Sequence, residues 1–128
     1  MVRPVLRESI AWQKAMTLST SVYAATRFFP KEEMFGLTNQ LRRASVSVPS
    51  NLAEGQGRLS TGEFLQFLGI ARGSTLEVHT QLELAIRLEY GNKQELEMAQ
   101  ALSVEVLRIL NSSIATLQAS VTQRNKKP

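Results

Sequence analysis

Apolar side chains recur along this chain at spacings of three and four, the repeat that lays them on one face of an α-helix. Four segments carry the pattern. In the first, Trp12, Ala15, Met16, Ser19, Val22, Tyr23 and Thr26 follow Ser9, an N-cap residue type. Phe29-Pro30 closes that segment, because the residue before a proline avoids the α region. The second is predicted from Glu33 to Glu54, with Leu37, Leu41, Val48 and Leu52 as its core stripe. At about 100° per residue, Gln40, Arg43, Ser47, Ser50, Glu54 and Arg58 form a separate polar stripe. Val46, Pro49 and Ala53 form a third stripe of small apolar residues. Pro49 removes one backbone hydrogen bond and is expected to kink the helix. Gly55-Gln56-Gly57 is expected to stop it.

The third segment opens on a capping box, Ser60-Thr61-Gly62-Glu63, with Leu59 and Phe64 at the positions of a hydrophobic staple. Phe67, Leu68, Ala71, Thr75, Val78, Leu82, Ala85 and Ile86 form its core stripe. Gly69 and Gly73, four apart on the far face, are expected to serve tight packing inside a bundle. Tyr90-Gly91 ends it. Asn92, with Glu95 three places on, caps a fourth helix whose core face is Leu96, Ala99, Ser103, Val106, Leu107, Leu110, Ile114, Leu117 and Val121. The last two helices run roughly 40 Å each and are joined by a very short turn, so they must be antiparallel. The predicted fold is all-α: an antiparallel up-down four-helix bundle over residues 1–121, with no sheet and a flexible basic tail over 122–128.

One feature exceeds what a lone bundle needs. Ile70, Leu84 and Leu88 gather on helix 3 away from its core stripe, Leu102 and Ile109 do so on helix 4, and Leu18, Ala25 and Phe29 on helix 1. Large exposed apolar patches are uncommon on monomers, so these second stripes predict subunit contacts in a homo-oligomer. The alternative is that they are wide stripes packed at helix corners.

Composition narrows the function classes. There is no cysteine, which removes disulfides, thiolate metal sites and cysteine nucleophiles, and suits a cytoplasmic protein. No apolar run approaches the ~20 residues of a membrane span, and Met1-Val2-Arg3-Pro4 lacks the apolar stretch of a secretory signal. All the acids are glutamate, which fits helix interiors better than aspartate. The single histidine, His79, excludes the di-iron bundle sites that need two. A Ser-His-Asp triad lacks its aspartate. Gly55-x-Gly57 lacks the spacing and lysine of a phosphate loop. No metal, cofactor or catalytic residue is therefore expected. Arg72 and His79, separated by six residues on one helix, resemble the Arg-x(4–6)-His motif of small helical ribonucleases of the HEPN class, with Gly73 where those have a polar residue. That leaves an enzymatic alternative open.

The net charge of +4 is uneven. Residues 1–58 hold eight basic and four acidic groups, 59–120 hold four and seven, and 121–128 add Arg124, Lys126 and Lys127. A basic half and tail invite an anionic partner. Arg42, Arg43 and Arg58 are the candidate RNA- or DNA-contacting residues, since arginine forks onto phosphate while Ser47, Ser50 and Asn51 can donate hydrogen bonds beside it. The alternatives are a Glu54–Arg58 pair and an Arg43–Glu77 pair on a solvated face. No aromatic sits among these groups in the sequence, so base stacking is not indicated.

The segments Phe29-Pro30-Lys31-Glu32-Glu33, Gln40-Leu41-Arg42-Arg43-Ala44 and Ser47-Val48-Pro49-Ser50-Asn51-Leu52-Ala53-Glu54-Gly55, with Gly57-Arg58, resemble the bacterial four helix bundle protein family. That family was first noted as products of intervening sequences in 23S rRNA genes. Glu63-Phe64, Phe67-Leu68-Gly69-Ile70-Ala71, Gly73-Ser74, Glu77 and Thr80-Gln81-Leu82 extend the resemblance. The sequence also looks related to the accessory variability determinant proteins of diversity-generating retroelements. The resemblance implies a bundle assembled into a barrel-like homopentamer with no established enzymatic activity. It also implies association with nucleic acid and protein partners through basic surfaces. The combined expectation is a non-enzymatic oligomeric binding protein. A protein scaffold that binds no nucleic acid is the alternative.

Overall fold

The computed structural model describes residues 5–125. The N-terminal Met1-Val2-Arg3-Pro4 and the tail lysines Lys126 and Lys127 lie outside them. Among the described residues the chain forms four α-helices and no strand: α1 Ile10–Thr26, α2 Leu37–Gln56, α3 Thr61–Arg87 and α4 Lys93–Asn125. Short 3-10 turns at Leu6–Glu8 and Lys31–Glu33 precede α1 and α2. Cross-links between neighbouring helices run in opposite sequence directions. Ser19 meets Ser45 and Thr26 meets Arg42; Gln40 meets Gln81 and Ser47 meets Ser74; Arg72 meets Asn111 and His79 meets Ser103. Each helix is thus antiparallel to the next, and α4 also packs against α1, so the bundle is up-down-up-down.

The expected core stripes of α2, α3 and α4 hold. Leu41, Val48, Val78, Leu82, Leu96, Val106 and Leu110 have no exposure at all. In α1 the expected Ala15, Ser19, Val22 and Thr26 are buried, whereas Met16 and Tyr23, expected inside, are exposed. Leu18, Ala25 and Phe29, read as a second stripe, are buried beside them, so the core face here is one wide stripe.

Helix ends follow local chemistry with four corrections. Ser9 Oγ accepts from Trp12 N–H and Ser60 Oγ from Glu63 N–H, as N-caps do. Helix α2 begins at Leu37, four residues later than expected. The Glu33 carboxylate reaches forward and accepts from Leu37 N–H at 2.9 Å, doing a cap's work from outside the helix. The Tyr90 hydroxyl donates to its other oxygen at 2.9 Å. These bonds, the Leu37 amide first, hold Glu33 below the usual carboxylate range and push the Tyr90 phenol up. Second, Leu59 is 100% exposed, so no staple with Phe64 forms. Third, α3 closes before Gly91. Tyr90 N–H bonds back to Ala85 C=O and Glu89 N–H to Ile86 C=O, a Schellman closure with Glu89 at φ 60°. Glu89 occupies the left-handed position where glycine is usual. Helix α4 continues through Asn125, so Thr122–Asn125, expected as tail, are helical.

Pro49 lies buried inside a continuous α2. Its missing N–H leaves the Ser45 carbonyl without an intrahelical donor. Ser19 Oγ of α1 supplies one at 2.7 Å. The proline's cost is thus offset across the seam, and a buried carbonyl is satisfied.

Candidate functional site

The polar stripe of α2 faces α3 and forms a groove with it. At the C-terminal end of α2 the two helices approach closely. A Cβ on Gly55 would lie 2.9 Å from the Phe64 ring and 3.0 Å from Phe67 Cβ. Gly55 is a helix-interior close-approach residue, and the stop expected of Gly55-Gln56-Gly57 falls at Gly57, the C-cap after Gln56. Further along, Asn51 Nδ2 donates to Ser47 C=O and to Ser47 Oγ. Ser47 Oγ also pairs with Ser74 Oγ, 2.9 Å away on α3, where either hydroxyl can donate. Gln81 Nε2 donates to Glu77 and, at 3.5 Å, to Gln40. Arg43 opens onto this groove beside Asn39, Gln40, Ser47, Ser74 and Glu77. It forms no ion pair or hydrogen bond among the described residues. The alternative Arg43–Glu77 pair is not made.

The other two arginines are held differently. Arg58 Nη2 donates to Glu54 at 3.2 Å, and the guanidinium stands 4.6 Å from the centre of the Phe67 ring. An aromatic does sit under this basic group, one that the linear sequence hid because it comes from α3. Arg42 points away from the groove into the α1–α2 seam. Its Nε donates to Thr26 Oγ1 at 2.8 Å, and its carbon centre lies 4.8 Å from the Tyr23 ring. Arg42 is therefore a structural link rather than a free phosphate ligand. Arg43 and Arg58 share the α2–α3 side, but fifteen residues of chain separate them by roughly 20 Å.

The apolar candidates divide in the same way. Ile70, Leu84 and Leu88 stand on the outer face of α3 at 45%, 47% and 46% exposure. Leu102 and Ile109 are half-buried, and Leu102 packs against the core. A Cβ at Gly69 or Gly73 would meet nothing within 4 Å. This glycine pair does not serve packing within the subunit; it leaves a smooth strip of exposed backbone beside Ile70 and Leu76.

On the opposite seam, Arg72 and His79 are both tied to α4. Arg72 Nε donates to Asn111 Oδ1 at 2.6 Å. The Ser103 hydroxyl spends its proton on Gln100 C=O, so His79 Nδ1 is the donor in the 2.8 Å contact with Ser103 Oγ. Glu83 accepts from Arg87 and Gln100, which hold its carboxyl below the ordinary range. No cluster of three or more potential metal ligands occurs among the described residues, and no described helix is long and apolar enough to cross a membrane.

These features can be set beside known proteins. No curated protein matches the chain. A crystal structure of a protein of unknown function from the S23 ribosomal protein family of Bacteroides thetaiotaomicron VPI-5482 superposes with a TM-score of 0.76 at 25% identity. The alignment covers 82% of this chain and 98% of that one. The sequence profile of the 23S rRNA-intervening sequence proteins matches residues 7–112, and the chain belongs to that family.

Proposed function

We propose that this protein is a non-enzymatic, cytoplasmic, homo-oligomeric binding protein, assembled as a ring of five through the outer face of α3. The observation that carries this reading is the exposed run Ile70, Leu84 and Leu88 beside the uncovered Gly69–Gly73 strip. Half-exposed aliphatic side chains next to backbone that a second helix can approach closely are what a subunit contact needs. Leu84→Glu or Ile70→Glu then places a charge in an apolar contact, which is costly to bury. Light scattering should report a stable oligomer for the native chain and smaller species for these variants, with helical circular dichroism retained. A native monomer at tens of micromolar refutes the assembly.

The partner we assign to this assembly is RNA or DNA, on the strength of Arg43, which stands open and unpaired among hydroxyl and amide groups. A ring repeats Arg43 and Arg58, so weak single sites act at raised effective concentration. Binding should fall steeply with salt and show little sequence preference. Arg43→Glu with Arg58→Glu should weaken it and flatten the salt slope while leaving the oligomer intact. If RNA, single-stranded DNA and duplex DNA all fail to bind at micromolar protein, the assembly is a protein-binding scaffold instead. The exposed Met16, Tyr23 and Val46 on the α1–α2 side favour that second reading. Catalysis by Arg72 and His79 is not proposed, because both are engaged with α4 side chains.

A further inference from the structure

The end of the bundle where α1 and α3 begin is incompletely filled. A cavity of about 290 Å³ opens there. Buried Leu52, Leu68 and Leu117 and half-buried Phe64 form its apolar wall. The sequence explains the gap. Seven residues before the buried Leu18 of α1 stands Ala11, and seven after the buried Val106 of α4 stands Ser113. Two core-facing positions thus carry small side chains in the layer where bulky ones are needed to close the core.

The mouth has a distinct chemistry. Ser112 and Thr116 are exposed there, with Ser113 between them. Elsewhere in the bundle the helix hydroxyls of Thr26, Thr75 and Thr80 bond back to the carbonyl four residues earlier. The hydroxyls of Ser112, Ser113 and Thr116 make no hydrogen bond among the described residues. No charged side chain lines the cavity. Its volume is about twice that of the engineered ~150 Å³ cavity known to admit benzene, and it falls near the lower end of ligand pockets.

We propose that this cavity is a binding site for a small, uncharged, mostly apolar molecule of bicyclic-aromatic size with one hydrogen-bonding group, its apolar body against Leu52, Leu68 and Leu117 and its polar end among the hydroxyls of Ser112, Ser113 and Thr116. An uncharged ligand follows from the lining, since nothing there would compensate a desolvated charge.

The test uses 2-naphthol as probe on the full chain in its solution assembly, with methyl-labelled leucines read by NMR. Saturable shifts are expected at Leu52, Leu68 and Leu117. Naphthalene-2-sulfonate, the same ring body carrying a charge, should bind at least about tenfold more weakly. Ser113→Leu and Ala11→Leu should fill the void, weaken 2-naphthol by at least about tenfold and raise the melting temperature. If circular dichroism shows one variant unfolded, the other reads the effect, and the shift map on the native chain decides alone if both are. The proposal is overturned by any of three results: no saturable shift up to the solubility of the probe, shifts confined to Leu84, Leu88 and their neighbours, or undiminished binding by folded filled variants.

Discussion

Arg42 and Arg43 are neighbours in sequence and belong to different regions of the molecule. The α1–α2 seam holds Arg42 with a hydrogen bond and a ring contact, and there Ser19 satisfies the carbonyl that Pro49 orphans. The α2–α3 groove brings its helices into close contact at Gly55 but leaves Arg43 open. One seam uses its polar groups for internal bonds, and the other presents one of them to solvent. A step of about 100° along a helix is enough to move a side chain from the first condition to the second. Identical residue types therefore carry opposite expectations: loss of stability for one, loss of binding for the other.

The largest effect should come from breaking the first seam at its most buried bond. Ser19→Ala leaves the Ser45 carbonyl unsatisfied and should cost about 1–3 kcal/mol in urea unfolding. Pro49→Ala restores an N–H to that carbonyl, so the Ser19→Ala cost should shrink in its background. Equal costs in both backgrounds would show that Ser19 does not compensate for the proline.

Next, the arginine pair tests the contrast directly. Arg42→Ala removes a charge-assisted bond and a ring contact, and should cost about 1–2 kcal/mol. Arg43→Ala touches nothing and should stay within about 0.5 kcal/mol. Comparable losses would erase the distinction between the seams.

A smaller effect is pH-dependent. Glu33, in the connection between α1 and α2, has its carboxyl held low by Leu37 N–H and Tyr90. A lowered folded pKa means that this stabilisation is present above the ordinary carboxylate pKa and fades as pH falls through the folded value. The Ser47–Ser74 and Gln40–Gln81 links of the groove are neutral and do not titrate in that range. Tyr90→Phe should therefore flatten the acid limb of the stability curve, while Ser74→Ala should leave its shape unchanged. Melting temperatures across the acid range read both.

The smallest effect concerns the turn between α3 and α4, outside both seams. Glu89 adopts φ 60°, a region that disfavours side chains by about 1–2 kcal/mol. Glycine relieves this but loses more chain entropy on folding, so Glu89→Gly should gain only about 0.5–1 kcal/mol. It serves as the baseline, a stability change that should alter neither seam.

The sequence determined those parts of the protein that one helix can specify alone. Leu37, Leu41, Val48 and Leu52 define a single apolar face, and Ser9 and Ser60 offer caps to amides three residues away. Such interactions need no partner from elsewhere in the chain. In α1 the spacing suggested two apolar faces and could not show where the core stripe ended. Packing buried Leu18 and Ala25 together with Ala15, Ser19, Val22 and Thr26, between α2 and α4. It left Tyr23 at the seam, where its ring faces Arg42. The candidate site was legible to the same degree. The polar stripe of α2 could be read from its periodicity. Only the fold revealed that Phe67 lies beneath Arg58, that Thr26 holds Arg42, and that Gly69 and Gly73 face open space. These facts depend on which residues of another helix stand opposite, and that register is set by the packing of all four helices together.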